Sequence, residues 1–403
     1  MGKGRDTLTE RRTSNLTPMS ELLPGIVPKK LKDKNGALIL QDTRPDLSPP
    51  AAPTAYENTQ LNLFQKFLAN TDEQRDTLSN AIDLWDSVPR YSVSRQAMTK
   101  TRINGEFLRK HQLTFQHRGK TYTRTIYPAR ITDAAGKERD YYPSASEELV
   151  EDALRKIATE QLSGYFDLPN YTSGVVFTLY ALREELKKRG HARSYYEIVD
   201  SLTILSRSSI EIVPHGEGEA KIEATFLPSL AAVSRAQLRS DPDARWVVSF
   251  HPLVTGSIDK VTYRQFNYHL MMSHSTQLAR WLHKQLVLKF TFAEMMRPFE
   301  MRYSTIKRDS GLLDEYKRER DSIEKVEKAF AELKDRRVIL DFKREDVTGL
   351  RGKKLDVIFT VHPHMDFVRE TKAANRRQMD SEKAVGIGRG SGQKPVGIGR
   401  GSR

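Results

Sequence analysis

VFTLYALREELKKRGHARSYYEIVDSLTILSRSSIEIV, residues 176–213, is the stretch whose reading decides the fold. It reads as helix, tight turn, second helix, then strand. Leu179, Leu182 and Leu186 recur at helical spacing, and Gly190 closes that helix after the basic run Lys187-Lys188-Arg189. The second helix starts near Ser194 and carries one apolar stripe, Tyr195, Ile198, Val199, Leu202 and Leu205, which belongs in a core. Its other face shows Arg193, Tyr196, Thr203 and Arg207. A hairpin is expected directly afterwards, from Ile210–Val213 through a His215–Gly218 turn to Lys221–Phe226. A helix-turn-helix followed at once by a hairpin is a winged helix, and its second helix is shaped to enter a DNA major groove.

The charge balance agrees. Lys and Arg number 66 against 52 Asp and Glu, a formal net charge of +14 that attracts polyanions. None of the 403 residues is cysteine, which excludes disulfides, thiolate zinc sites and cysteine nucleophiles. No apolar run reaches membrane-spanning length, and the start MGKGRDTLTERR lacks the apolar stretch of a signal peptide. The expectation is a cytoplasmic protein with no membrane span.

Working outward, residues 1–58 are rich in Pro, Lys, Arg, Thr and Ser and read as disordered. Residues 59–89 read as a short peptide, Gln60-Leu61-Asn62-Leu63-Phe64, and a linker. A first winged-helix domain is expected over 90–255. It includes a hairpin turning at Arg118–Gly119 and a helix, EELVEDALRKIATEQ, capped by Ser146. A second is expected over 256–370, in the same order of elements. Ser275–Leu288 is a helix with Leu278, Trp281, Leu282 and Leu286 inward, followed by a strand near Phe299–Met301 and a small helix, STIKRDSGL. A long helix over Leu313–Asp335 buries Tyr316, Ile323, Val326, Phe330 and Leu333, and strands Val338–Lys343 and Leu355–Val361 follow it. Residues 371–403, with VGIGRGS written twice, read as a disordered Gly/Arg tail. The fold class expected is therefore α+β, two tandem winged-helix domains between disordered ends.

DNA contacts are expected from Arg193, Ser194, Tyr196, Thr203 and Arg207 in the first domain. Arg297 to Arg344 holds fourteen basic and eleven acidic residues, so the second domain offers no simple basic patch. Its contacts are placed at Lys307 and at the start of the long helix, Lys317, Arg318 and Arg320, with Asp314 nearby.

These residues carry a resemblance. Arg193-Ser194-Tyr195-Tyr196 leading into SLTILSRSSIEI, the order of elements from Ser275 to Val361, and the Gln60–Phe64 peptide together resemble the plasmid replication initiators of the iteron-binding Rep class, most closely the TrfA-type initiators. The resemblance spans roughly residues 60–365. It implies binding to iterons in double-stranded origin DNA, opening of an adjacent AT-rich region with contact to its single strand, and recruitment of host replication proteins, the host initiator and replicative helicase among them. It also implies a homodimer as a storage form. Gln60-Leu61-Asn62-Leu63-Phe64 looks like the Gln-Leu-x-Leu-Phe peptide that docks on the bacterial sliding clamp, with Leu61 anchoring one side, Leu63 and Phe64 filling an apolar pocket and Gln60 orienting. The same residues also allow a short helix in which Leu63, Phe64, Phe67 and Leu68 pack on the first domain.

Catalytic patterns fail. His362-Pro363-His364 is the spacing of a metal-holding pair in rolling-circle nicking enzymes, but no tyrosine follows Tyr316 to act as nucleophile. Gly119-Lys120-Thr121 echoes a P-loop ending, yet Thr114 stands where its early glycine belongs. The expectation is a binding protein with no catalytic residue, cofactor or metal. Its rivals are a winged-helix transcriptional repressor and a nicking endonuclease.

Overall fold

The apolar spacing of the helix-turn-helix stretch is what the core uses: Leu179, Leu182 and Leu186 are buried, as are Ile198, Leu202 and Leu205. The computed structural model describes residues 67, 76–132, 136–159, 163–167, 170–216, 220–232, 245–316, 318–349 and 353–384. All of them lie in one unit, Thr54–Arg403. Gln60, Leu61, Leu63, Phe64, Lys317 and the VGIGRGS repeats lie outside the described residues.

The chain enters through strand β1 (Leu78–Ile82), a 3-10 turn at Trp85–Ser87 and helix α1 (Arg95–Thr101). Strands β2 (His111–His117) and β3 (Lys120–Tyr127) form the hairpin expected around Arg118–Gly119, and β4 (Ala129–Thr132) pairs with β5 (Glu138–Tyr141). Helix α2 (Ala145–Ala158) leads through β6 (Gly164–Asp167) and β7 (Thr172–Phe177) into α3 (Leu179–Lys188) and α4 (Tyr195–Arg207). Strands β8 (Ser209–Pro214), β9 (Ile222–Thr225), β10 (Leu230–Ala231) and β11 (Trp246–Ser249) complete the first half. The second half runs α5 (Pro252–Asp259), β12 (Tyr263–Asn267), α6 (Tyr268–Met272), α7 (Gln277–Lys289), β13 (Phe299–Arg302) and α8 (Tyr303–Ser310). It ends with α9 (Glu319–Asp335), β14 (Ile339–Thr348), β15 (Lys354–Pro363) and α10 (Met365–Ala384). The architecture is α+β.

Both expected hairpins are present, but they sit in differently built sheets. β8 and β9 pair antiparallel, with Ile210 opposite Ala224, and β8 also pairs β3, giving the order β2-β3-β8-β9. In the second half β15 pairs both β14 and β13, the strand before α8. Its counterpart before α3, β7, pairs with β6 and β11 instead. The order of elements repeats along the chain; the strand pairing does not.

Four local expectations need correction. Ser144, not Ser146, caps α2, because Glu147 reaches back to the Ser144 N–H at 2.8 Å and closes a capping box. Residues 312–315 form a turn rather than the first turn of the long helix, since Leu313 is drawn into the core and α9 begins at Glu319. Residues 371–384 are helical, not a disordered tail: Arg264 on β12 donates to Asn375 and Gln378 of α10 at 2.6 and 2.9 Å. Residues 78–88 are no linker, because β1 pairs with β12 and Trp85 is fully buried.

That last segment carries the strongest constraint in the core. Asp86 bonds Arg90 and Arg155, and Arg155 also meets Asp152 at 2.6 Å. Asp152 accepts from Lys284 of α7 at 2.7 Å, while Glu148 faces both Lys284 and Arg280. Glu151 takes Arg90, the Tyr91 hydroxyl and the Trp85 indole N–H. Four acids and four bases are thus buried together, drawn from the entry segment, α2 and α7.

Removing one partner leaves an uncompensated buried charge, so Lys284→Met should destabilise the chain by roughly 3–5 kcal/mol in urea unfolding. The double change Asp152→Leu with Lys284→Met restores neutrality and should recover part of that loss. Histidines set the acid side. Burial pushes His251 down to about 3 and His274 to about 4, and takes His283 well below its ordinary 6.5. The unfolded chain takes up these protons near pH 6.5 and the fold does not. Their contribution is therefore complete above pH 6.5 and declines as pH falls toward 4. The urea midpoint should drop between pH 7 and pH 5, with His251 contributing on the order of 1–2 kcal/mol, and His251→Asn should flatten that slope.

Candidate nucleic-acid interface

The first helix-turn-helix is pinned at every terminus. The Thr178 hydroxyl accepts the Ala181 N–H at 3.0 Å to start α3. At its end Gly190 takes φ +84, and the N–H groups of Gly190 and His191 return to the carbonyls of Lys187 and Leu186 at 3.0 and 2.9 Å. That is a Schellman closure, which only a residue tolerant of positive φ makes cheaply. Three residues later Ser194 caps α4: its Oγ accepts the Glu197 N–H at 3.3 Å, and Glu197 accepts the Ser194 N–H at 2.8 Å. These hydrogen bonds hold the Glu197 carboxyl below its usual range.

The face that α4 turns outward is aromatic and polar. Tyr196 is 71% exposed, and Asp200 and Arg207 share that face. Tyr195, expected in the core stripe, is 39% exposed and lies under the Arg183 guanidinium, 5.0 Å from ring centroid to Cζ. Arg193 is half-buried and donates to the Ala192 carbonyl at 3.0 Å. Two of the expected contact residues already spend their hydroxyls inside the fold. Ser194 is the cap, and Thr203 donates to the Val199 carbonyl at 2.8 Å. Arg207, at the far end of α4, donates to the Arg130 carbonyl of β4 at 3.1 Å. The end of the helix that exposes aromatic rings is its start. Arg183 of α3, stacked on Tyr195, joins that surface, and Tyr180 on the same helix is 59% exposed; neither was among the expected contacts. The signal was an aromatic residue standing off the Leu179–Leu182–Leu186 stripe.

The second unit separates its cations more sharply. α9 buries Ile323, Val326, Phe330 and Leu333, as expected. Along its outer side Lys328 pairs with Glu324 at 2.6 Å, Lys334 with Asp341 at 2.9 Å, and Glu327 with Arg344 of β14 at 3.0 Å. Arg318 and Arg320, at the start of the helix, are exposed and have no ion pair among the described residues. Lys307 is half-buried on α8, facing Asp314, whose carboxyl is pushed up by burial. The hairpins are quieter: Lys221 of the first is held between Glu211 and Glu223 at 2.8 and 3.0 Å.

The remaining motifs take structural places. Lys120 and Thr121 open strand β3. His362 and Pro363 end β15, and His364 Nδ1 accepts the Asp366 N–H at 3.2 Å at the start of α10. Among the described residues no cluster of three or more His, Asp or Glu is placed to hold a metal ion, and no helix is long and apolar enough to cross a membrane.

No protein-family model and no curated protein matches this chain. One solved structure that it resembles is described as the crystal structure of Pi initiator protein in complex with iteron DNA. The two share 12% identity over 72% of this chain and 99% of that one, with a TM-score of 0.31. A score that low does not superpose the two folds, and the functional reading rests on this chain's own residues.

Proposed function

We propose that this chain is a plasmid replication initiator that binds repeated origin sequences in double-stranded DNA through two winged helices. One is built on α3–α4 with β8–β9, within residues 90–255, and the other on α8–α9 with β14–β15, within 256–370. A single observation carries the DNA-binding part. Twice along the chain a helix-turn-helix runs straight into an antiparallel hairpin, and each second helix opens on exposed side chains suited to a groove, Tyr196 in one and Arg318 with Arg320 in the other. The net charge of +14 supplies the long-range attraction. The initiator part is supported by the resemblance of Arg193–Ile212 and of the Gln60–Phe64 peptide to iteron-binding initiators.

On this reading the two helices enter successive major grooves on one face of a repeat. Arg318, Arg320 and Lys317 neutralise phosphates, while Arg193 and Tyr196 face the bases. Packing several copies on adjacent repeats strains a flexible AT-rich segment until it melts. The Gln60–Phe64 peptide then brings in the sliding clamp, and the host initiator and helicase follow. The protein acts by binding and strain, without nuclease or nucleotide chemistry.

Combined alanine changes at Arg193, Tyr196, Arg318 and Arg320 should abolish repeat binding in a fluorescence-anisotropy titration. Any one base-reading arginine should cost about 1–3 kcal/mol and relax preference at one position. Repeat binding that survives all four changes would put the reading helices elsewhere. Permanganate probing of a supercoiled origin separates initiator from repressor, because only the initiator leaves unpaired thymines beside the protected repeats. For the peptide, Leu63→Ala with Phe64→Ala should remove clamp binding in a pull-down and leave the melting temperature and repeat affinity unchanged. A lowered melting temperature would instead mean that these side chains pack in the core, as Phe67 does against Tyr263 with ring centroids 5.0 Å apart.

A further inference from the structure

The turn inside each helix-turn-helix is held by the other half of the chain. The first, Arg189-Gly190-His191, sits on α6. Arg189 is buried, its guanidinium meets His269 Nδ1, and its Cζ lies 5.5 Å from the Tyr268 ring centroid. Its Nη2 donates to the Asp76 carbonyl at 2.7 Å, just ahead of β1, and His191 Nε2 donates to the Met272 carbonyl at 2.8 Å.

The second turn, Asp309 to Glu315, sits on the first half. The Gln116 N–H, on edge strand β2, donates to Asp309 Oδ1 at 3.0 Å, and the Ser94 N–H donates to Glu315 Oε1 at 3.1 Å. Gly311 takes φ +61, and a Cβ added there would stand 2.7 Å from Leu113 Cδ1 and 2.8 Å from Ser92 Cβ. The buried contacts of Lys284 with Asp152 and of Gln285 with the Asp86 carbonyl join the same two halves through the core.

We propose that the two helix-turn-helix units read DNA as one rigid body, at a single separation of half-sites, and that Arg189, Asp309 and Gly311 are positioning residues that set this separation. The proposal rests on the DNA-binding reading above and deepens it. A turn fixes the direction in which the helix after it leaves. Each of these turns is anchored across the seam, so a tilt of one reading helix relative to the other breaks hydrogen bonds at the turns and buried contacts in the core. Two domains on a flexible linker behave differently, since their effective concentration changes slowly with distance and several spacings serve. The ligand implied is a duplex with two half-sites on one face, a whole number of helical turns apart.

The test uses the full-length protein to select a bound sequence from random duplexes, then varies the spacing between its two halves. Inserting about 5 bp, roughly half a helical turn, should lower affinity by roughly 10- to 100-fold, to that of one half-site alone. Smaller insertions should lose affinity progressively. Gly311→Val, which must push Leu113 and Ser92 aside, should keep each half-site affinity and broaden the spacing profile. A lowered melting temperature with an unchanged, sharp profile would remove Gly311 from the positioning role. A flat profile for the unaltered protein would overturn the rigid-body proposal and leave DNA binding standing. Failure to select any sequence would overturn the DNA-binding reading itself. The spacing series of the unaltered protein decides the matter even where the variant does not fold.

Discussion

Asp86, Asp152, Arg155 and Lys284 are buried together, and burying four ions is affordable only if every one finds its partners in good geometry. Those partners come from three places in the chain: Asp86 from the entry segment, Asp152 and Arg155 from α2, Lys284 from α7. Without α2 Asp86 loses Arg155, and without α7 Asp152 loses Lys284. The network is therefore satisfied only when the entry strand, the first half and the second half converge. The surrounding hydrogen bonds reinforce this, with the Trp85 indole on Glu151 at 2.6 Å and Gln285 on the Asp86 carbonyl at 3.1 Å. An apolar seam of the same volume would be as stable or more so, but it would accept many relative orientations of the halves.

The network also lies one helix behind each helix-turn-helix. α2 packs against both α3 and α4, so the helix carrying Glu151, Asp152 and Arg155 is the floor of the first helix-turn-helix. α7 packs against α9, so the helix carrying Arg280 and Lys284 is the floor of the second. A shift of α2 relative to α7 would move the two helix-turn-helix units relative to one another. Local capping and long-range charge pairing thus act in series. Ser194 with Glu197 and the Schellman turn at Gly190 define where α4 begins, and the buried ions define what it stands on.

Much of the helix-turn-helix was legible because its determinants are local. A Leu stripe, a glycine at the end of the first helix and a serine at the start of the second all act within a few residues. What escaped reading depended on distant partners. LSNAIDLWDSVPRY looks like a polar linker because its Asp86 and Arg90 find their partners more than sixty residues away on α2. NRRQMDSEK looks like a solvated tail because Asn375 and Gln378 are satisfied by Arg264, a residue of another element. Leu313 and Tyr316 stand at helical spacing with Ile323, yet Gly311 ends α8 so tightly against β2 that Leu313 is taken into the core before α9 starts. Among the candidate contacts, hydroxyls misled for the opposite reason. Ser194 and Thr203 look free in the sequence, but each closes a local hydrogen bond.

The cations of the two helix-turn-helix units differ in how they are paired. Lys328, Lys334 and Arg344 beside α9 each have a carboxylate within 3.0 Å, and Lys221 in the first hairpin has two. A phosphate approaching such a pair meets the carboxylate's repulsion along with the cation's attraction, so these residues add little net affinity. Arg318 and Arg320 are exposed and have no carboxylate at ion-pair distance among the described residues, so on the proposed reading counterion release on phosphate binding falls to them. The start of α4 offers phenol rings instead, Tyr195 and Tyr196, with Arg183 of α3 stacked on Tyr195. Phenols bring contact area and one directional hydrogen bond each at low entropy cost, and they are insensitive to salt. On the proposed reading the second unit grips the backbone and the first reads the groove. A rigid seam between them is what turns a grip at one place into a register at the other.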